Sequence, residues 1–370
     1  MTVTRKFVTL DANATEPLRP EAREAVLAAW AIGGNPSSVH GGGRRARAVL
    51  ETARTELATL FGATPDNVVF TSGGTEACAL AIHGLGRAGP VLAGATEHDA
   101  VLRAVPQPLT VPVDGRGVID LAALDAALAA HRPTLVCMML ANNETGVLHP
   151  IAEVAALCRA HDARLHVDAV QAAGRLFPTL DTLGADSMAL SAHKFGGPKG
   201  IGALLLRGDR ARPLPPLVAG GGQEQGRRGG TQAFELASGM ATAARAARAA
   251  DQTAIARLRD RFEDAARDAG AVVCGAGADR LPNTCCVALP GVASQTQLIA
   301  LDIAGLGVSA GSACSSGKVA RSHVLAAMGL GALAGEAIRV SLPWSVDDAM
   351  VEHAIGAYRT MAQRLARRAA

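Results

Sequence analysis

Between Gly43 and Phe61 the apolar positions Ala46, Val49, Leu50, Ala53, Leu57 and Leu60 recur at spacings of three and four. That is the period of one helix face, and it predicts an amphipathic helix. Short apolar runs follow at Val68–Thr71, 135–140, 165–168, Ser187–Ser191 and Gly202–Leu206, each closed by a polar or glycine-rich turn. Runs of this length with no polar interruption predict strands buried on both faces. Helical patterns at 121–130 and 151–161 separate several of them. Strand–helix alternation of this kind predicts a mainly parallel α/β sheet in the first half of the chain.

The stretch 214–228 is rich in Pro and Gly, and a periodic run of Ala, Arg and Asp then extends over 233–269. A single helix of that length exceeds the usual globular range unless it links units, so the run is expected to be an interdomain connector. Beyond it, Val272–Val273, 284–289 and 338–342 predict strands, and 295–301, 321–328 and 346–368 predict helices, together a smaller α+β unit. No internal repeat is evident, and the Ala-rich stretches keep helical periodicity with charges on one side, unlike low-complexity linkers.

Composition narrows the function. The chain has 370 residues, 49% hydrophobic and 19% charged, enough apolar material for a large core and no disorder signature. Thirty-six Lys and Arg against 33 Asp and Glu leave a net charge of +3, too small a bias for a nucleic-acid or anionic-lipid partner. Aromatics at 3% argue against stacking platforms for single strands. A small-molecule ligand is expected, with no nucleic acid and no membrane. The seven cysteines form no C-x-x-C pair, so neither a disulfide framework nor a zinc cage is indicated, and the start of the chain has no secretory apolar segment. A reducing, cytoplasmic setting is expected.

Candidate chemistry clusters just after the predicted strands, where open α/β sheets place their sites. Thr71-Ser72-Gly73-Gly74-Thr75-Glu76 runs from strand to helix, so that backbone N–H groups at Gly74 and Thr75 could meet a phosphate, although a glycine turn with a capping threonine is also common in structural settings. In Ser191-Ala192-His193-Lys194, a lysine follows a strand; an apolar pocket would lower its amine's pKa and fit it to form a Schiff base with an aldehyde cofactor. In His166-Val167-Asp168-Ala169-Val170-Gln171, Asp168 could pair with a protonated pyridine nitrogen or cap a helix, and Gln171 could bond a ring hydroxyl. Glu97-His98-Asp99 offers an imidazole for the ring face, and Asn142-Asn143-Glu144 offers amides; either set could equally be satisfied turn residues. Ser309 to Gly317 is a run of small residues around Cys314, whereas Cys137, Cys158 and Cys285-Cys286 lie in apolar stretches and read as core. Arg339, inside a strand-like run, needs an anion such as a substrate carboxylate unless it projects from an exposed edge.

In order along the chain, these segments resemble the cysteine desulfurases of NifS/IscS type, class V aminotransferases among the fold-type I pyridoxal phosphate enzymes. The resemblance spans nearly the whole chain. It is carried by Leu10-Asp11-Ala12-Asn13-Ala14-Thr15, Gly34-Asn35-Pro36-Ser37-Ser38-Val39-His40, Ser72-Gly73-Gly74-Thr75-Glu76, Asn142-Asn143-Glu144-Thr145-Gly146, Ser191-Ala192-His193-Lys194, Gly220-Gly221-Gly222-Gln223-Glu224 and Gly311-Ser312-Ala313-Cys314-Ser315. It implies a large α/β unit over 15–250 with a mainly parallel seven-stranded sheet. The smaller α+β unit is then 1–14 with 251–370, carrying the cysteine segment and Arg339.

By the same resemblance Lys194 carries pyridoxal 5'-phosphate, Asp168 and Gln171 address its ring, His98 stacks on it, and Gly74, Thr75, Ser191 and His193 hold its phosphate. Thr231 reaches that phosphate from the second subunit of a homodimer. Asn143 also contacts the cofactor, and Asn13, Asn143 and Arg339 engage L-cysteine; Lys194 moves the Cα proton, His98 carries protons, and Cys314 takes the sulfur as a persulfide and hands it to a scaffold or other acceptor protein. No resident metal is implied, only a transient iron–sulfur cluster contact at Cys314. Three places differ from the usual pattern: Gly229 stands where serine is common before Gly230-Thr231, Cys78 where asparagine is common, and Pro343-Trp344 where glycine and a basic residue are usual. The competing readings are a selenocysteine lyase and a catalytically silent sulfur-relay protein of the same fold. A dinucleotide oxidoreductase would need a G-x-G-x-x-G turn opening a βαβ unit, which is missing.

Overall fold

The computed structural model describes residues 7–105, 107–208, 214–311 and 321–369, without the side chains of 366–369. Its first strand, β1 (Val8–Thr9), precedes the central sheet of β2 (Val68–Thr71), β3 (Val91–Gly94), β4 (Leu109–Val111), β5 (Leu135–Met139), β6 (Arg164–Asp168), β7 (Ser187–Ser191) and β8 (Gly202–Leu206). These seven strands lie in the order β2-β8-β7-β6-β5-β3-β4. The pairings from β7 through β6, β5 and β3 to β4 are parallel, whereas β8 runs antiparallel to both β7 and β2.

Successive residues of a strand point to opposite faces, and here both faces are covered. Val136 and Met138 of β5 pack with Leu50 and Leu57 of the helix Gly41–Phe61 and with Ala237 and Ala244 of the helix Phe234–Arg248. Leu135 and Cys137 pack on the other face with Leu80, Ala81 and Leu85 of the helix Gly74–Leu85. That two-sided burial is why these strands read as unbroken apolar runs. Because β5, β6 and β7 are parallel, their carboxyl ends lie together, bringing the segments after Met139, Asp168 and Ser191 to one edge of the sheet.

The outer edge of β2 would leave backbone groups unpaired, and a buried ion pair supplies them. Arg54 Nη1 donates to the Val68 carbonyl at 2.6 Å, and the Phe70 N–H donates to Glu224 Oε2 at 2.9 Å. Arg54 and Glu224 also meet as a fork at 2.7 and 2.8 Å. Glu224 reaches this position with φ of 49°, a left-handed conformation that the ion pair and a bond from Gln232 hold in place.

The remaining strands form a second layer. β9 (Val272–Val273), β10 (Thr284–Ala288) and β12 (Ala337–Ser341) make an antiparallel sheet ordered β12-β10-β9, and β1 pairs in parallel with β11 (Leu306–Gly307). Cys285 and Val287 of β10 pack with Phe262 and Tyr358, whose rings meet edge-on at 5.6 Å. Cys286 and Ala288 face the opposite way, onto Val324, Leu325 and Met328.

The long run over 233–269 is two helices, Phe234–Arg248 and Gln252–Asp268, not one. Asp251 breaks it by accepting the N–H groups of Thr253 and Ala254 at 2.9 and 3.1 Å, a helix start inside a run whose helical periodicity continues on both sides of it. The first helix packs on the central sheet and the second on the smaller one. Strands β1, β3, β4 and β11 and the helix Pro20–Trp30 lie outside the elements that the sequence pattern predicts.

Glu224→Ala removes one partner of the buried pair and leaves Phe70 N–H and Arg54 unmatched, so a loss of about 3–5 kcal/mol is expected in urea unfolding. A loss within about 0.5 kcal/mol, the range of an ordinary surface change, would contradict the edge-sealing role. His166, buried in β6 with Nδ1 at 2.8 Å from Ser187 Oγ, is pushed down to about 3 by burial. Its stabilising contribution is complete above the unfolded imidazole's ordinary pKa of about 6.5 and is lost as pH falls from there towards the folded value. Between pH 7.5 and 5 the wild type should therefore lose about 2 kcal/mol more stability than His166→Asn. Parallel pH profiles for the two proteins would contradict this.

Candidate active site

Outside the carboxyl ends of β5–β7 lies a cavity of about 670 Å³. The turn before the helix Gly74–Leu85 forms one wall, and the segment Asn13–Thr15 with Arg339 closes the side nearest the smaller sheet. Of the residues singled out from the sequence, Asn13, Gly74, Thr75, His98, Asn143, Asp168, Gln171, Ser191, His193, Lys194 and Arg339 all line it. Thr231 is exposed and is not part of its lining. Cys314 lies outside the described residues.

One end is built for an anion. Gly74 opens a twelve-residue helix, whose first N–H groups have no intrahelical partner. A Cβ at Gly74 would lie 2.6 Å from Val170 Cγ2 and 3.3 Å from Ser191 Cβ, so only bare backbone fits there. His193 contributes an imidazole pushed down to about 4, by burial first and then by the charges of Lys194 and Lys199. It therefore stays neutral near pH 7, with Nδ1 3.2 Å from Thr15 Oγ1. Glu76, in the first turn of the same helix, accepts Ser72 N–H at 2.7 Å and Arg228 Nε at 2.9 Å. Burial pushes its carboxyl up, but those two bonds outweigh it and hold the group below the ordinary range.

Lys194 ends the short 3₁₀ turn that follows β7. Its Nζ donates to the carbonyls of Asn13 at 2.6 Å and Ala14 at 3.1 Å, which hold the amine at the cavity wall. The Asn13 carbonyl also accepts Gln171 Nε2 at 2.9 Å, and Gln171 Oε1 is buried without a hydrogen-bond partner among the described residues. Asp168, at the end of β6, is buried and accepts Val170 N–H at 2.9 Å. Burial raises its pKa; the Val170 bond and the Lys194 charge pull the other way. A cationic ring nitrogen beside it would complete that balance. Cys78, the departure from a common asparagine, is fully buried nearby and is pushed well up by burial and by the Asp168 charge.

Arg339 projects from β12 into the same space and is almost fully buried. The anion it needs is partly supplied within the chain: Nη2 bonds Asp11 Oδ1 at 2.8 Å, and Nη1 donates to the Asn143 carbonyl at 3.1 Å. Its Nε has no partner among the described residues. Asp11, and the two acids Glu97 and Glu144 beside His98 and Asn143, are functional neighbours whose roles no motif in the sequence marks. Glu97 accepts Met139 N–H at 2.6 Å, and Glu144 accepts Ser322 Oγ–H at 2.6 Å. Burial pushes both carboxyls up. The available signal was an acidic residue at a strand end otherwise flanked by buried positions.

The model of the aminotransferase class-V family matches residues 8–353. A cysteine desulfurase of Cereibacter sphaeroides is 43% identical over 352 residues, covering 90% of this chain and 90% of its own. The cysteine desulfurase IscS of Dictyoglomus turgidum is 37% identical over 342 residues, covering 88% of this chain and 86% of its own. A solved NifS-like protein from Rickettsia africae superposes with a TM-score of 0.89 at 30% identity, over 96% of this chain and 99% of its own. The chain belongs to the aminotransferase class-V family, among its cysteine desulfurases.

Proposed function

We propose that the cavity holds pyridoxal 5'-phosphate and that the chain uses it to take sulfur from L-cysteine, yielding L-alanine and a persulfide on Cys314. The observation that carries this reading is the convergence on one cavity of an amine on Lys194, a buried carboxylate on Asp168 and a helix N-terminus at Gly74. The residues present fit the group. The helix N-terminus at Gly74 turns N–H groups to a phosphate, Asp168 matches a protonated ring nitrogen, and the unpartnered Gln171 amide oxygen marks a polar position beside the ring. Gly74, Thr75, Ser191 and His193 would hold the phosphate, Asp168, Gln171 and His98 the ring, and Lys194 the aldehyde carbon. The chemistry that pyridoxal phosphate supplies when bound is an electron sink for a carbanion at the substrate Cα.

The chain's own residues do the rest. Arg339 and Asn143, with Asn13 behind them, grip the substrate carboxylate and fix the Cα–H bond near Lys194. Lys194 Nζ, released by the substrate amine, takes the Cα proton. Cys314 Sγ attacks the substrate sulfur, so that an S–S bond forms as the Cβ–S bond breaks. His98 returns protons to the carbon fragment, which leaves as alanine.

Thr231, exposed and apart from this cavity, suits a hydroxyl delivered to the phosphate of a second copy, making the active form a homodimer. The division into 15–250 and 1–14 with 251–370 belongs to the same reading, since β1 pairs with β11 and Leu10 packs with Phe262 and Val340. A reducing cytoplasm suits the six described cysteines, none of them bridged. No described helix is long and apolar enough to cross a membrane. A sulfur-acceptor protein is the implied partner, with iron–sulfur assembly the use suggested by the IscS relative.

Incubation with L-cysteine, following alanine and the cofactor's visible band, tests the roles. The wild type should be coloured and form alanine, and Lys194→Ala should lose the normal band and at least about 10³-fold in rate. Cys314→Ala should keep the band but lose sulfur transfer. Equal alanine formation by all three proteins would overturn the assignment.

A further inference from the structure

Two thiols that the proposed chemistry leaves unused stand in line with Arg339. β10 pairs with β12 so that Cys286 lies directly opposite Arg339, and with β9 so that Val287 faces Val273 and Ala288 faces Val272. One further step of that antiparallel register sets Cys286 opposite Cys274, whose N–H donates to the Cys286 carbonyl at 2.9 Å. Directly opposed residues of antiparallel strands project to one face, so Arg339, Cys286 and Cys274 form a row across the sheet. All three are buried, and both thiols pack against Val324, Leu325 and Met328. Cys285 projects the other way, towards Phe262 and Tyr358.

Opposed positions hold their Cα atoms about 4.5–5.5 Å apart, inside the span of roughly 4.4–6.8 Å that a disulfide bridges. The two thiol side chains also act on one another: the Cys286 thiol holds Cys274 below the ordinary thiol range, while Cys274 and burial push Cys286 well above it, so Cys274 is the more acidic of the two. We propose that Cys274 and Cys286 are a redox-sensitive dithiol whose closure to a cross-strand disulfide weakens carboxylate binding at Arg339. The coupling rests on the substrate role given to Arg339 above.

With hydrogen peroxide as oxidant, the Cys274 thiolate attacks one oxygen, the O–O bond breaks, and the departing hydroxide takes a proton to become water. The Cys274 sulfenic acid is then attacked by Cys286 sulfur; the S–O bond breaks, a second water leaves and the S–S bond forms. Two electrons pass from the two thiols to one peroxide, and a thiol reductant reverses the change. An S–S bond of about 2.05 Å is shorter than a contact between thiols, so closure turns the Cys286 side chain towards Cys274 and away from Arg339, its cross-strand neighbour on the same face. Arg339 is the ladder partner of Cys286 and is already tied to Asp11 and Asn143, so the shift reaches the guanidinium.

The test uses full-length protein treated with hydrogen peroxide, acid-quenched, alkylated and digested with trypsin. A cross-link is expected between the peptides 268–280 and 281–318, which hold Cys274 and Cys286. It should persist in Cys285→Ala and Cys314→Ala, which remove the other two thiols of the second peptide, and vanish in Cys274→Ala and Cys286→Ala. L-Alanine has the substrate's carboxylate but no thiol to reduce the bridge, and its binding is measured by equilibrium dialysis on cofactor-loaded Cys314→Ala protein. Oxidation should weaken that binding about fivefold, a modest coupling between sites, and dithiothreitol should restore it. Absence of the cross-link overturns the dithiol. A cross-link with unchanged alanine affinity overturns the coupling. Failure of the reduced protein to bind alanine overturns the functional reading and the coupling with it, while the cross-link still decides the dithiol.

Discussion

One buried asparagine joins the two sheets at the point where chemistry is proposed to happen. Asn13 donates its backbone N–H to Ser341 Oγ in β12 at 3.0 Å and its Nδ2 hydrogens to Thr284 Oγ1 in β10 at 2.9 Å and to the Asn143 carbonyl at 3.1 Å. Its own carbonyl faces the central sheet and receives both Lys194 Nζ and Gln171 Nε2. An amide suits this place because it offers donors and acceptors without a charge to bury. In a low-dielectric setting such a shared network is strong when satisfied and costly when broken, so a shift of either layer is felt at the lysine amine.

Around that joint the chain buries more ionisable groups than a core for stability alone would need. Burial pushes Glu16, Glu97, Glu144 and Asp168 up together, against the buried guanidinium groups of Arg175 and Arg339. Glu97 Oε2, Glu144 Oε1, Gln171 Oε1 and Arg339 Nε are left without hydrogen-bond partners among the described residues. Unsatisfied buried atoms are rare in ordinary cores; Gln171 and Arg339 line the cavity, and Glu97 and Glu144 adjoin its lining residues His98 and Asn143 in the chain. They mark a site where local stability yields to ligand binding.

The central sheet was legible because two-sided burial leaves a simple sequence mark, an uninterrupted apolar run ended by a polar residue. The same logic located Asp168, Ser191 and Lys194, since parallel strands deliver their trailing residues to one edge. Capping chemistry hidden in an Ala-rich stretch was not legible, so Asp251 passed as part of one helix. The ion pair of Arg54 and Glu224 was equally hidden, because its partners are 170 residues apart and nothing local announces which edge they seal. Asp11 was missed as the partner of Arg339 for a similar reason: the pairing exists only once β1 is laid beside the smaller sheet.

The sharpest test of the account exploits the chain's scarcity of lysine, which occurs only at positions 6, 194, 199 and 318. The protein is loaded with pyridoxal 5'-phosphate, reduced with borohydride, digested and mapped by mass spectrometry. A phosphopyridoxyl group is expected fixed on Lys194 and lost when Lys194 is replaced. Modification of another lysine at wild-type yield, or no fixed group at all, would contradict it.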